Sequence, residues 1–289
     1  MTSTGDSSQL NEARINLDRV YNRPDPRSYS AEMRKVGYSL PEAAKPIFGR
    51  LIAAIRRNVD DPVRILDIGC SYGVNAALIK HDFSIDDLYD HWGQERLAGV
   101  PPGELIEYDR RFFDVAEADE TLEIIGLDQA ERAVDFGEKV GLLDEGLALD
   151  LEREPLSADA RNDLEPVDLA ISTGCIGDVT DTSFDRLLPA VAAKRKPWFA
   201  NFVLRLFPFD AIEETLARWG YVTEKLEQEV FVQREFASTE EREQVLENLR
   251  NMGVDPTDME DRGHFLAEFY LSRPREEAKK LPLRQLLAT

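Results

Sequence analysis

The sequence is poor in the residues that build disulfide scaffolds and metal centres. Its 289 residues include only two cysteines, Cys70 and Cys175, and three histidines, His81, His91 and His264. The cysteine spacing fits neither a zinc site nor a disulfide framework. The histidines show no ligand spacing with Asp or Glu. We therefore expect no metal, and we expect a protein of a reducing compartment.

Long apolar segments are also missing. No run of about 18 apolar residues occurs, so no segment reads as a membrane-spanning helix. The first six residues, Met1 to Asp6, lack the basic and apolar blocks of a signal peptide. We expect a cytoplasmic protein with no membrane partner.

Positive charge is scarce as well. The chain has 35 Lys and Arg residues against 56 Asp and Glu residues, which gives a formal net charge of −21. Such a surface repels phosphate backbones, so nucleic acid is not an expected partner. The hydrophobic share of 43% fits a globular protein, and the length allows one large α/β domain or one such domain with a cap.

Strand and helix patterns alternate from residue 63 onward, which favours parallel βαβ units. Helices are predicted before the first strand, at 11–21, 29–37 and 41–58. Strands are predicted at 63–68, 122–127, 146–149, 167–171, 198–204, from 221 onward with 231–236 as its continuation or partner, and at 264–271. A charged excursion at 81–120 contains an aromatic cluster, so we expect it to pack as helices.

The most informative stretch is residues 63–75, where an apolar strand runs into a turn that contains Gly69 and Gly73. Glycines at such a turn let the backbone bend tightly and approach a ligand closely. Asp67 stands at the end of the strand. A dinucleotide fingerprint starting at Gly69 would need glycines at 71 and 74, where this chain has Ser71 and Val74. The pattern therefore does not favour NAD or FAD.

The same stretch resembles motif I of the class I S-adenosylmethionine-dependent methyltransferases. The family pattern is acid-x-Gly-x-Gly-x-Gly, and Asp67, Gly69, Ser71 and Gly73 occupy it, with serine at the middle glycine. The resemblance covers roughly residues 60–235. It implies an α/β, Rossmann-like fold with a seven-stranded, mostly parallel sheet. It also implies a transferase that uses S-adenosyl-L-methionine and methylates a small molecule, as in specialised metabolism.

The resemblance assigns motif I residues to the methionine portion of the cofactor. Asp67 would orient its ammonium group, and the backbone at Gly69, Ser71 and Gly73 would approach it closely. The alternative for Asp67 is an acid that caps the turn. Tyr72, inside the turn, could face the sulfonium, where an aromatic ring gives about 0.5–2 kcal/mol of cation–π attraction. Packing beneath the next helix is the alternative for Tyr72.

Later strand ends supply the remaining cofactor contacts that the resemblance implies. Asp128, followed by Gln129, would accept hydrogen bonds from the ribose hydroxyls, unless it is an ordinary exposed acid. Asp150 with Leu151 would contact the adenine, unless the pair only begins a helix. The dipeptide 172–173 would lie beside the transferable methyl group. The catalytic residues stay open, with Tyr72, Ser172 and Tyr29 as candidates, and Thr173 is expected among the cofactor-binding residues.

The chain before motif I has a proline-stiffened turn at 21–29 that could act as a lid. Two tyrosines and two arginines flank it and could clamp an anionic acceptor, namely Tyr21, Arg23, Arg27 and Tyr29. A packing strap is the equal alternative. Arg205, after the fifth strand, is a further candidate anion binder. We expect a lid or cap at 1–60, the cofactor-binding domain at 61–273 with the insertion at 81–120, and a tail at 274–289.

Three functions stay open at the level of sequence. The first is methyl transfer to a small molecule. The second keeps the cofactor but uses it as an electrophile at another carbon, closing a ring from its aminobutyrate arm and releasing methylthioadenosine. The third is a cofactor-binding protein without catalysis. The sequence does not specify the acceptor atom or the oligomeric state.

Overall fold

The computed structural model describes residues 18–59 and 62–288. The described chain begins with α1 (Asp18–Tyr21), α2 (Arg27–Lys35) and α3 (Leu40–Arg56). Pro41 lies in the first turn of α3, where its missing N–H costs no helical hydrogen bond. The predicted helix at 11–21 falls largely outside the described residues.

The central sheet has eight strands with both faces covered. Their bounds are β1 (Val63–Ile68), β2 (Leu122–Asp128), β3 (Glu145–Ala148), β4 (Leu169–Thr173), β5 (Trp198–Leu204), β6 (Tyr221–Lys225), β7 (Phe231–Glu235) and β8 (His264–Pro274). The order across the sheet is β3-β2-β1-β4-β5-β8-β6, and β7 also pairs with β8. The apolar run of β5 is buried almost throughout, as expected for a strand covered on both faces.

Strand directions divide the sheet into two parts. The strands β1 to β5 are mutually parallel, whereas β8 is antiparallel to β5, β6 and β7. Because β6 pairs with residues 270–274 of β8 and β7 with residues 264–267, these two short strands share one edge of β8. The eight strands thus fill seven positions, and β7 continues the line of β6. The predicted α/β fold, with a mostly parallel sheet of seven positions, is confirmed.

The helices between the strands complete the α/β pattern. They are α4 (Val74–Lys80), α5 (Ile85–Trp92), α6 (Pro102–Val115), α7 (Glu131–Lys139), α8 (Ala158–Asp163), α9 (Asp181–Val191), α10 (Asp210–Arg218) and α11 (Thr239–Asn251). The helical nature predicted for the insertion is confirmed by α5 and α6. Stacked rings join the two helices. The Phe112 ring of α6 lies 3.7 Å from the His91 ring of α5 between centroids, and 4.7 Å from the ring of Phe83, just before α5.

Several boundaries differ from those predicted, and the most informative are those of β4 and of the C-terminal tail. The strand β4 runs from Leu169 to Thr173 and not from 167. Just ahead of it, the Asp168 carboxylate accepts a hydrogen bond from the Arg64 backbone N–H. After β8, the expected tail forms α12 (Arg275–Lys280) and α13 (Leu283–Ala288). Leu283 and Leu286 of α13 are buried. Among the described residues, no helix is long and apolar enough to cross a membrane.

Candidate functional site

Three of the predicted cofactor residues, Asp67, Asp128 and Thr173, lie at the carboxyl ends of β1, β2 and β4. In the turn after β1, Gly69, Ser71 and Gly73 have positive φ values of 73°, 50° and 82°. A Cβ on Gly69 would lie 2.6 Å from Cys175 Cβ, so the backbone there approaches the β4 loop as closely as glycine allows.

Asp67 is fully buried beneath this turn. Its Oδ1 accepts a hydrogen bond from Asn75 Nδ2 at 2.9 Å, and its Oδ2 has no hydrogen-bond partner among the described residues. Burial raises the pKa of this carboxyl from 3.8 to about 7, the hydrogen bond from Asn75 lowers it, and the charge of Asp128 raises it. A buried carboxylate oxygen without a hydrogen-bond partner can accept a hydrogen bond from a cationic ligand.

Asn75 joins the ends of two strands. Its side-chain amide also donates to Thr173 Oγ1 at 3.1 Å, so it holds β1 and β4 together. Sequence reasoning missed this residue. The available signal was a polar residue in the first turn of α4, within the otherwise apolar run that follows Gly73.

Asp128 faces the turn from β2. Its Oδ2 accepts a hydrogen bond from the Ser71 backbone N–H and its Oδ1 accepts from the Ala130 backbone N–H, each at 2.9 Å. Burial is the largest influence on its pKa and raises it, the backbone N–H groups lower it, and the charge of Asp178 raises it. The Oγ of Ser71 is buried without a hydrogen-bond partner in the described chain. Each oxygen of Asp128 keeps a second lone pair for a ligand hydroxyl.

The other predicted cofactor residues lie around these two. Gln129 is exposed at the start of α7. Asp150 Oδ1 accepts from the Glu152 backbone N–H at 3.1 Å, which closes a turn after β3, and Leu151 is buried. Ser172 is fully buried, and its hydroxyl donates to Asn201 Oδ1 at 2.9 Å.

The catalytic candidates carry no free base at neutral pH. Burial raises the pKa of Tyr72 to about 12 and that of Tyr29 well above its ordinary value, so both phenols stay protonated. The Tyr72 hydroxyl accepts from the Arg23 backbone N–H at 2.9 Å and lies 3.1 Å from the Arg23 carbonyl oxygen. This residue therefore holds the N-terminal segment against the turn.

The N-terminal segment, residues 18–30, is tethered at three places. Besides Tyr72, the Asn22 side chain accepts from the Arg132 backbone N–H of α7 at 2.9 Å, and the Arg27 guanidinium donates to the Leu97 carbonyl of the insertion. Arg27 is also paired in a bidentate manner with Asp25. The segment thus spans the motif I turn, α7 and the insertion.

The arginines proposed as anion binders differ in their surroundings. Arg27 is engaged by Asp25 and by the Leu97 carbonyl, as described above. Arg205 contacts Glu260 at 2.6 Å and Glu268 at 3.6 Å. Arg23 is exposed on the proline turn. The described residues contain no group of three or more His, Cys, Asp or Glu that could hold a metal ion.

An aromatic pocket lies beside the motif I turn at residues 69–73. Four rings line it, those of Tyr29 and Tyr38 from the N-terminal part and of Tyr89 and Trp92 from α5, together with aliphatic side chains that include Val74. Burial raises the pKa of Tyr38 well above its ordinary value, and the Thr173 side chain at the end of β4 lowers it in part.

Comparisons with other proteins were made by sequence and by structure. No protein-family model and no curated protein matches the chain. The chain is similar in structure to the plantazolicin methyltransferase BpumL in complex with a pentazolic desmethylPZN analog and SAH. That match has 14% identity and a TM-score of 0.46, and it covers 93% of this chain and 98% of that chain.

Two further solved structures are similar. A TehB-like SAM-dependent methyltransferase from Corynebacterium glutamicum has 14% identity and a TM-score of 0.36, with 76% of this chain and 86% of that chain covered. The [4+2]-cyclase SpnF has 14% identity and a TM-score of 0.36, with 78% and 80% covered.

Proposed function

We propose that the chain is an S-adenosylmethionine-dependent methyltransferase that acts on a small molecule. The observation that carries the proposal is the pair of carboxylates at neighbouring strand ends, Asp67 and Asp128, on either side of a turn held in positive φ. Asp67 has an unpartnered buried oxygen, and Asp128 has spare lone pairs beside the turn. Both features fit a ligand with a cationic amino group and two ribose hydroxyls.

The residues present fit this cofactor in distinct ways. Asp67 Oδ2 is placed to accept from an amino group, and Asp128 to accept from hydroxyl groups. Gly69 lets the turn pack directly against Cys175, because a Cβ there would lie 2.6 Å from Cys175 Cβ. Asp150 and Leu151 follow β3, where an adenine ring would be read. When bound, S-adenosylmethionine supplies an activated methyl group on a positively charged sulfur.

The protein's own contribution to methyl transfer is alignment and exclusion of water. Holding a nucleophile in line with the reacting carbon removes much of the entropic barrier. The N-terminal segment contacts the insertion through Arg27 and the Leu97 carbonyl, and the motif I turn through Tyr72, which would shield the turn from water. A general base among Tyr29, Tyr72 and Ser172 is not required by this mechanism, and their protonation and hydrogen bonds agree with that.

A small acceptor is supported by the enclosure of the site. The aromatic pocket is narrow, and helices of the insertion and the N-terminal part form its walls. The net charge of −21 disfavours a polyanionic acceptor such as nucleic acid. The rings of the candidate substrate-binding residues Tyr21 and Tyr29 lie 5.2 Å apart between centroids, in a tilted arrangement.

The test begins with binding and proceeds to products. Isothermal titration with S-adenosylmethionine and S-adenosylhomocysteine should show binding of both, and NAD should show none. Incubation with cofactor and a metabolite extract should yield S-adenosylhomocysteine by mass spectrometry. Methylthioadenosine would establish the ring-closing alternative, and binding without either product would establish the non-catalytic one. Absence of binding at millimolar cofactor would overturn the proposal.

A further inference from the structure

We propose that the Ser71 hydroxyl forms a hydrogen bond with a ribose hydroxyl of the bound cofactor. The inference rests on the proposed function and adds a side-chain contact to it. The family pattern has glycine where this chain has Ser71, so the resemblance implies only a backbone role at this position. Three observations carry the inference: the backbone conformation of Ser71, the state of its hydroxyl, and its hydrogen bond to Asp128.

Ser71 holds a backbone conformation that favours glycine. Its φ is 50°, in the left-handed region, where a Cβ is unfavourable. Gly69 and Gly73, on either side of it, have φ values of 73° and 82° and adopt this region without a Cβ. A glycine at position 71 would therefore suit the turn better than serine does. The stability of the turn does not account for the side chain.

The hydroxyl of Ser71 is also unfavourable in the free protein. Ser71 is 6% exposed, and its Oγ has no hydrogen-bond partner among the described residues. Burying a hydroxyl without a partner costs the hydrogen bonds that it made to water. Conformation and burial together predict that serine at this position lowers the stability of the free protein. Residues held at such a cost concentrate at ligand sites.

The hydrogen bond to Asp128 places this hydroxyl beside the proposed ribose acid. The Ser71 backbone N–H donates to Asp128 Oδ2 at 2.9 Å. Only Cα and Cβ separate the backbone nitrogen of a serine from its hydroxyl oxygen, so Ser71 Oγ lies close to the carboxylate that this N–H contacts. A ribose that binds to Asp128 is therefore within reach of Ser71.

A ribose needs a hydrogen-bond donor as well as an acceptor. Each ribose hydroxyl has one proton and two acceptor lone pairs. When the proton is donated to the Asp128 carboxylate, the lone pairs still lack a donor, and an ionised carboxylate has none to offer. The Ser71 hydroxyl supplies that donor and gains a partner itself. Glycine at position 71 could do neither.

The N-terminal segment is attached on both sides of this contact. The Arg23 backbone N–H donates to the hydroxyl of Tyr72, next to Ser71, and the Asn22 side chain accepts from the Arg132 backbone N–H of α7. Both tethers involve side chains and lie outside the sheet. Their release would expose the turn to a ligand and leave the strands intact.

Two substitutions remove the hydroxyl and keep the backbone N–H that Asp128 accepts. Ser71→Gly also relieves the positive φ, whereas Ser71→Ala keeps it. In isothermal titrations we expect both variants to bind S-adenosylhomocysteine about three- to tenfold more weakly than the unmodified protein. The Tm of free Ser71→Gly should be higher by about 2–4 °C. Unchanged affinity in either variant, or a lower Tm in Ser71→Gly, would overturn the inference.

Ligand analogues locate the contact on the ribose. The 2′-deoxy and 3′-deoxy analogues of S-adenosylhomocysteine each lack one ribose hydroxyl. The loss of affinity caused by Ser71→Ala should disappear against at least one of them, because the partner of the serine is then already missing. A loss of the same size against both analogues would place the contact outside the ribose and overturn the inference.

Gln228→Gly is the matched control. Gln228 also has a positive φ, of 70°, and it is exposed in the turn between β6 and β7. Its replacement should raise Tm and leave the affinity for S-adenosylhomocysteine unchanged. If Gln228→Gly weakens binding as much as Ser71→Gly does, the loss is a general effect of an added glycine and the inference falls.

Failure of the inference can be told apart from failure of the proposed function. The unmodified protein is titrated with S-adenosylhomocysteine before the variants are compared. If it binds and the Ser71 variants bind equally well, the cofactor assignment stands and the role of the Ser71 hydroxyl falls. If the unmodified protein shows no binding at millimolar ligand, the proposed function fails and the inference fails with it.

Discussion

Asp67 and Asn75 form a buried hydrogen bond of 2.9 Å that occupies one carboxylate oxygen and leaves the other without a partner among the described residues. Burying a charge without full compensation is costly, so the acid holds its proton to higher pH. The half-satisfied carboxylate therefore has two states near neutral pH. A cationic ligand would favour the ionised one.

Cofactor affinity should depend on pH through Asp67. Its pKa is raised to about 7 in the folded protein, so below that pH a proton competes with the amino group of the ligand. We expect the Kd for S-adenosylhomocysteine to change little between pH 7.5 and 8.5 and to increase about tenfold per unit below pH 7. Isothermal titration from pH 5.5 to 8.5 measures this directly.

Asp67→Asn provides the control for that prediction. It should weaken binding at pH 8 and remove most of the pH dependence. The free protein gives an independent check, because a raised pKa means that the folded state binds protons more readily than the unfolded state. Its free energy of unfolding should fall as pH rises from about 4 to 7, and the variant should lessen that fall. A profile identical in both proteins would show that another group titrates.

Asp128 should contribute to binding as well as to the turn. Asp128→Ala removes an acceptor for two backbone N–H groups and the proposed acceptor for the ribose, so affinity should fall by about 1.5–3 kcal/mol. Asp144→Ala is the matched control, because the Asp144 carboxylate also accepts a hydrogen bond from a backbone N–H, that of Ile124 at 2.7 Å, toward the other end of β2. Both variants should lower Tm, but only Asp128→Ala should weaken S-adenosylhomocysteine binding. Equal affinities would restrict Asp128 to capping.

Gly69 should tolerate no side chain. Gly69→Ala combines a positive φ with a Cβ placed 2.6 Å from Cys175 Cβ, so we expect a loss of about 2–4 kcal/mol in the free energy of unfolding. Gly141→Ala isolates the backbone effect, because Gly141 has φ of 83° and nothing within 4 Å of a Cβ. It should lose about 1 kcal/mol. Urea denaturation measures both, and similar losses would mean that the Cys175 contact relaxes.

The sheet was predictable where the sequence pattern and burial agree. The apolar run at 63–68 and the glycine turn gave the bounds of β1 as the structure has them. The predicted start of β4 was too early, because Val167 is apolar and buried although it lies outside the strand. An apolar side chain indicates burial. The end of a strand is instead set by backbone hydrogen bonds to neighbouring strands that are distant in the sequence.

The site was predictable only for residues that belong to local motifs. The positive φ values at Gly69, Ser71 and Gly73 follow from the turn that the sequence indicated. By contrast, the pairing of Asn75 with Thr173 joins residues 98 apart, and the pocket around Tyr38 and Trp92 depends on how the insertion folds back. No local pattern encodes such contacts.

The N-terminal segment should loosen when its anchor on the motif I turn is removed. Tyr72→Phe deletes the hydroxyl that accepts from the Arg23 backbone N–H and contacts the Val20 carbonyl oxygen, at a cost of about 0.5–1.5 kcal/mol for each bond lost. Because Tyr72 is fully buried and the ring is kept, the core should stay packed. Trypsin should then cleave after Arg19 and Arg27 several-fold faster than in the unmodified protein, as followed by mass spectrometry.

Tyr270→Phe is the comparison for that experiment, since its hydroxyl bonds to Glu268 on β8, away from the segment. Its cleavage rate at Arg19 and Arg27 should equal that of the unmodified protein. With S-adenosylhomocysteine bound, a lid that closes over the ligand would restore protection in Tyr72→Phe, because the ligand adds contacts that the lost hydroxyl no longer supplies. If Tyr72→Phe is cleaved faster and the ligand does not slow that cleavage, the segment is a packing strap. If Tyr72→Phe is cleaved at the same rate as the unmodified protein, Asn22 and Arg27 suffice to hold the segment.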